Sequence, residues 1–258
     1  MKTALITGAC INTGVDIVQK FLSEGYAVVF TGRNGESVTD AEAAYRKKYP
    51  EASVSGYVLN SLTDSGEVDT GAVDKLFGEL DEKGIFVSTL VLNAADQGIG
   101  QKVFETHLSD FCKVINTNVV WNYYISECAA RRMKDNGGGS ITFINSNTAY
   151  RAIPDRVSYI ASKGGQLGMM RALALDLGKY NIRVNAVLPG MIKTDRWEKN
   201  PDFYENVPSR FTPIGDVAVG ADIADAVWYF AECARNTTGA ELVVDGGNNI
   251  QLYPIIKK

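Results

Sequence analysis

Two residues one helical turn apart, Tyr159 and Lys163, carry the sharpest chemical signal in this 258-residue chain. Residues four apart share a helix face, so within the helical pattern Arg156–Lys179 an ammonium sits one turn beyond a phenol. A free tyrosine holds its proton to about pH 10, too tightly for efficient transfer at neutral pH. A fixed positive charge nearby favours the phenolate. The pairing therefore suits a tyrosine that gives and takes a proton. The spacing alone arises often by chance, and its meaning depends on the surrounding residues.

A second signal lies at the start of the chain. The apolar run Ala4–Thr7 leads into Gly8-Ala9-Cys10-Ile11-Asn12-Thr13-Gly14, and a helical pattern Gly14–Glu24 follows at once. A glycine-rich turn from strand to helix lets the backbone approach a pyrophosphate, and the helix N-terminus offers free N–H groups and a positive dipole end. The next apolar run, Ala27–Thr31, ends in Gly32-Arg33. In dinucleotide folds a carboxylate at this point binds the ribose hydroxyls, whereas a nearby arginine accommodates a 2′-phosphate. With glycine in the acid position and Arg33 after it, repulsion is removed and a guanidinium fork is supplied. That favours NADP(H) over NAD(H). Ile11 lacks a basic side chain, so NAD(H) stays open.

The elements that must position these residues alternate between strand and helix. Strands are read at Ala4–Thr7, Ala27–Thr31, Ser53–Leu59, Val87–Leu92, Ser140–Ile144, Ile182–Val187 and Glu241–Val244. Helices are read at Gly14–Glu24, Thr39–Lys48, Val68–Lys83, Ser109–Lys134, Arg156–Lys179 and Ala221–Cys233. Several strands are apolar without alternation, as expected when helices cover both faces of a sheet. The pattern predicts an α/β fold: a single-domain Rossmann fold over residues 1–258, with a doubly wound parallel sheet and helices on both faces. The irregular stretch Thr194–Val217 is the candidate substrate lid.

Composition excludes other classes. The net charge of -4 gives no basic footprint for nucleic acid. The single histidine, His107, reads as an exposed turn entering a helix, so no histidine-based metal site or triad is indicated. Cys10, Cys112, Cys128 and Cys233 form no Cys-x-x-Cys pair and are read as reduced residues of a cytoplasmic protein, three of them packing on helices. No apolar stretch approaches the roughly 20 residues of a membrane span. The N-terminus reads as a first strand rather than a signal peptide.

The ordered set of motifs resembles the short-chain dehydrogenase/reductase family. Its cofactor turn, TGxxxGxG, matches Thr7–Gly14 except that Asn12 stands at the middle glycine; asparagine tolerates positive φ better than most residues. Asn93-Ala94-Ala95 matches the family's NAG, with alanine for its glycine. Ser146, thirteen residues before Tyr159, matches the substrate-orienting serine, and Asn118 matches the asparagine that holds a water joining the lysine to solvent. Pro189-Gly190 and Thr194 match the segment that contacts the nicotinamide carboxamide, and Asp245-Gly246-Gly247 follows the last strand.

The resemblance implies an oxidoreductase that interconverts a ketone or aldehyde and an alcohol. Asn118, Ser146, Tyr159 and Lys163 are the implied catalytic residues. Gly8, Asn12, Thr13, Gly14, Arg33, Asn93, Tyr159, Lys163, Pro189, Gly190 and Thr194 are the implied cofactor contacts, and no metal is implied. The family pairs the helices holding Asn118 and Tyr159 across subunits, which implies a homotetramer or dimer. Small residues on the latter helix (Ala161, Gly164, Gly165, Gly168, Ala172) suit such pairing or internal packing. The substrate pocket is expected at Asp96–Gln101, Asn147–Asp155 and Thr194–Val217. Tyr150, Arg151, Arg196, Trp197 and Arg210 there suit a small polar substrate: a sugar, polyol, oxo acid or acyl thioester. A different class stays open, a protein of this fold that regulates through nucleotide binding or does non-redox chemistry as halohydrin dehalogenases do. Lys163 and Arg33 argue against it, and Asn12 and Asn93-Ala94-Ala95 argue for it.

Overall fold

The computed structural model describes residues 1–199 and 211–253. Seven strands form one parallel sheet: β1 Thr3–Ile6, β2 Ala27–Gly32, β3 Val54–Val58, β4 Val87–Leu92, β5 Gly139–Ile144, β6 Ile182–Pro189 and β7 Glu241–Val244. Their order is β3-β2-β1-β4-β5-β6-β7. The chain winds outward from β1 in one direction, then returns to β4 on the other side. That reversal between β1 and β4 opens a crevice at the carboxyl ends of the strands, where doubly wound sheets bind ligands.

Helices cover both faces, which explains the unbroken apolar runs. Leu5 of β1 faces one core with Phe77, Trp121, Ile125, Met133 and Met170. Its neighbours Ala4 and Ile6 face the other, with Phe21, Phe30, Ile223 and Phe230. Burying each large apolar side chain contributes roughly 1.5–3 kcal/mol.

The helices are α1 Thr13–Ser23, α2 Gly35–Lys48, α3 Thr70–Glu82, α4 Leu108–Ile115, α5 Asn122–Asp135, α6 Val157–Gly178, α7 Asp195–Lys199 and α8 Gly220–Trp228. Helix α2 starts four residues earlier than the periodicity implies, because the Asn34 side chain accepts the Ser37 N–H at 2.9 Å and caps it. Asp69 caps α3 in the same way. The run Ser109–Lys134 is continuously helical, but a π turn, Asn116–Trp121, joins α4 to α5. A second π turn, Tyr229–Cys233, extends α8. Such turns are often found at functional sites, and Asn118 lies within the first.

His107 is exposed at the start of α4. All four cysteines are free thiols. Of the three on helical segments, Cys128 is buried while Cys112 and Cys233 are exposed, so the expectation of packing holds for Cys128 alone. Among the described residues no helix is long and apolar enough to cross a membrane.

Candidate active site

The glycine turn closes tightly between β1 and β4. Gly8 has φ +64, and a Cβ there would lie 2.9 Å from Ala94. A Cβ on Gly14 would lie 2.6 Å from Ala9 Cα and 2.7 Å from the Gly8 carbonyl. Both positions therefore require glycine. Asn93 staples the two strand ends together: its side-chain amide donates to the carbonyls of Thr7 at 3.1 Å and Gly8 at 2.9 Å. The Thr7 hydroxyl accepts the N–H groups of Asn93 and Ala94, each at 3.0 Å.

Asn12 adopts φ 51, ψ -140 immediately before α1. The positive φ agrees with the sequence expectation. Its ψ, however, lies far from the left-handed helical basin that asparagine tolerates, in territory that belongs almost entirely to glycine. The turn thus keeps the shape the family's glycine would give it, at a conformational cost on the order of 1–3 kcal/mol. The Asn12 Oδ1 is buried with no hydrogen-bond partner. Thr13 opens α1, so its first turn faces the crevice with the glycine cradle beneath. A pyrophosphate fits this cradle.

At the end of β2, Arg33 is exposed. Gly32 beside it has no room for a side chain, since a Cβ would lie 2.4 Å from Cys10 Sγ and 2.8 Å from Val38 Cγ2. Cys10 and the absence of a carboxylate at position 32 are thus one packing arrangement. Burial pushes the Cys10 thiol up, and a hydrogen bond with Ser37 opposes that shift.

The catalytic candidates converge at the ends of β4 and β5 and on α6. Ser146 follows β5, is buried, and accepts hydrogen bonds from the Thr148 hydroxyl at 2.9 Å and the Thr148 N–H at 3.2 Å. It also lies beside the Tyr159 phenol. Lys163 is 2% exposed, and its Nζ donates to the Ile144 carbonyl at 2.8 Å and to Gln166 Oε1 at 3.2 Å. The Asn118 side chain is fully committed. Its amide donates to the Asp96 carbonyl at 2.8 Å and Ser162 Oγ at 2.9 Å, and its Oδ1 accepts the Asp96 N–H at 2.8 Å. The π turn directs the Asn122 N–H to Val119, and the Asn118 carbonyl accepts the side-chain amides of Gln166 at 2.6 Å and Asn122 at 2.8 Å.

Burial sets the protonation of the pair. It raises the Tyr159 phenol above its ordinary value, with Ser146 and the Arg156 charge opposing. It lowers Lys163 to about 7, with no other cause. Lys163 is not among the groups that oppose the rise at Tyr159, which are Ser146 and Arg156. A dehydrated ammonium with only carbonyl acceptors loses charge and exerts little field.

The remaining candidates lie along the same crevice. Pro189 ends β6, and Gly190 follows so close to Asp245 that a Cβ would lie 2.6 Å from its Cβ. Thr194 precedes α7. An open hollow of about 290 Å³ is lined by Asp96, Ile99, Gln101, Asp110 and Lys113 among others. Tyr150 does not face a substrate freely: its hydroxyl donates to Glu241, which also pairs with Arg171. Arg210 and much of the lid stretch lie outside the described residues.

A family model described as "Enoyl-(Acyl carrier protein) reductase" matches residues 8–249. The chain belongs to the short-chain dehydrogenase/reductase family. It is 34% identical to the 3alpha-hydroxysteroid dehydrogenase of Mediterraneibacter gnavus, over 95% of this chain and 96% of that one. It is 32% identical to the NADP-dependent (R)-specific alcohol dehydrogenase of Lentilactobacillus kefiri, over 97% of each. Among solved structures, ElxO with NADP bound superposes with a TM-score of 0.87 at 28% identity, covering 97% of this chain and 99% of that one. The chain is an NAD(P)H-dependent oxidoreductase acting on carbonyl and alcohol groups.

Sequence reasoning passed over Gln166, Asn145 and the Cys10–Gly32 contact. Gln166 lies three residues beyond Lys163, on the same helix face, and a polar residue there was the available signal. For Cys10 and Gly32, distant in sequence, there was none.

Proposed function

We propose that the enzyme reduces a ketone or aldehyde with NADPH, Tyr159 supplying the proton. The observation that carries this reading is the placement of Lys163 Nζ 5.5 Å from the centre of the Tyr159 ring, with Ser146 beside the same phenol. Both hydroxyls can donate to one carbonyl oxygen and stabilise the charge that develops on it. When bound, the reduced nicotinamide supplies the hydride. Gly8, Asn12, Thr13 and Gly14 cradle the pyrophosphate, with Asn93 holding the turn closed from β4. Lys163 and Tyr159 meet the nicotinamide ribose, and Pro189, Gly190 and Thr194 meet the carboxamide. Asn118 holds α4–α5 against Asp96 and Ser162, and so fixes the floor beneath Lys163.

Preference for NADP(H) over NAD(H) rests on exposed Arg33 beside the side-chain-free Gly32. The alcohol dehydrogenase relative is NADP-dependent and ElxO carries NADP. The substrate is a small polar carbonyl compound or acyl thioester. The chain forms one domain and the enzyme works in the cytoplasm; much of the expected lid, Thr194–Val217, lies outside the described residues.

The small face of α6 supports self-association. Ala161, Gly164, Gly165, Gly168 and Ala172 are exposed, and Cβ atoms on Gly164 and Gly168 would meet nothing within 4 Å. Gly165 lies against Val119, a Cβ there meeting Cγ2 at 3.7 Å, while Gly164 and Gly168 face open space. A homotetramer, or a dimer, pairs it across subunits, and a monomer by sedimentation at micromolar concentration would refute that.

Fluorescence titration with NADPH and NADH tests the cofactor assignment. Tight NADPH and weak NADH binding is the expected result. The reverse preference overturns the role of Arg33, and binding of neither overturns the redox reading. A panel holding a keto-steroid, a 3-oxoacyl thioester and an aldose then narrows the substrate.

A further inference from the structure

The Lys163 ammonium is joined to the Asn118 carbonyl by a side chain. Gln166 is 1% exposed and one turn along α6 from Lys163. Its Oε1 accepts from Lys163 Nζ at 3.2 Å, and its Nε2 donates to the Asn118 carbonyl at 2.6 Å. The same Oε1 accepts from Asn145 Nδ2 at 3.1 Å. Asn145 Nδ2 also donates to the Lys163 carbonyl at 2.9 Å, and its Oδ1 accepts the Ser146 N–H at 2.8 Å. One buried chain of amides thus runs from the π turn, past the lysine, to the backbone of the serine.

We propose that Gln166 is a positioning residue for Lys163: its amide ties the ammonium to the π turn at Asn118 and, through Asn145, to Ser146. The inference deepens the redox reading and rests on it. Three properties carry it. An unpaired amide buried here would cost free energy, and each polar atom of this one has a partner. The orientation is determined, because Nε2 must face a carbonyl and Oε1 must face two donors. The acceptors around Nζ are neutral, namely the Ile144 carbonyl on β5 and Gln166 on α6. Tyr159 is the titratable group beside it, its ring centre 5.5 Å away. Gln166 Oε1 and the Ile144 carbonyl are therefore the two acceptors that face Nζ.

The test reads Lys163 directly in the protein without cofactor, so its result is separate from that of the NADPH titration. Lysine labelled with 13C at Cε in deuterated protein is titrated by NMR, with Lys163→Met assigning the resonance. Gln166→Met removes the acceptor and lowers the Lys163 midpoint by about one unit; Gln166→Glu puts a carboxylate beside Nζ and raises it by at least that much. Gln166→Asn, too short to span the gap, moves with the Met variant and serves if that variant does not fold. A residue that merely fills space would leave the midpoint in place when Gln166 becomes Met. Unchanged midpoints in the folded variants would overturn the proposal.

Discussion

Lys163 Nζ lies 5.5 Å from the centre of the Tyr159 ring, yet its hydrogen bonds go to the Ile144 carbonyl and Gln166. Lysine and tyrosine are neighbours without being partners. Ser146 is the polar side chain that opposes the rise of the Tyr159 phenol.

Tyr159→Phe removes the proposed proton donor and leaves the glycine turn and Lys163 in place. Turnover should fall on the order of a thousandfold or more, since general acid catalysis supplies about 10²–10⁴ and the oxygen also loses a hydrogen bond. NADPH affinity should stay within a few-fold of wild type. Steady-state kinetics with fluorescence titration check both halves.

Lys163→Met should change how stability responds to pH. The folded lysine is held near 7, below its unfolded value of 10.5. A base with a depressed folded pKa binds fewer protons folded than unfolded, so stability rises with pH between these values. Relative to the variant, wild type should gain up to about 1.4 kcal/mol per pH unit across that window. Urea unfolding of the cofactor-free proteins at pH 7, 8 and 9 measures the slope; parallel stabilities would contradict the buried, weakly charged lysine.

Gly32→Asp alone should destabilise the fold by roughly 1–3 kcal/mol, because its Cβ must displace Cys10 Sγ. Combined with Cys10→Ala the change should recover part of that loss, since the close contact with Val38 Cγ2 remains. The paired variant should bind NADH more tightly and NADPH at least tenfold more weakly, as a carboxylate is placed beside Arg33. Unfolding midpoints and cofactor titrations of the single and double variants decide the matter.

Asn12→Gly should stabilise the protein by about 1 kcal/mol by relieving φ 51, ψ -140, partly offset by the freer unfolded chain. It also removes a buried oxygen without a partner. NADPH binding should tighten several-fold. Thermal melting and fluorescence titration are the measurements, and a lower melting temperature would show that Asn12 is not strained.

Local chemistry made much of the site readable from the chain alone. Tyr159 and Lys163 share a helix face because helical spacing requires it, and the turn Gly8–Gly14 lies between a strand and a helix that periodicity marks out. The sheet follows from apolar runs without alternation. What folding alone decided depends on contacts between residues distant in sequence or on burial. The Asn118 carbonyl reaches Gln166 because a π turn interrupts a helix whose periodicity looked regular. Cys10 reaches Gly32 across two strands. The low Lys163 pKa comes from desolvation, a property of the packed interior that no spacing of residues encodes.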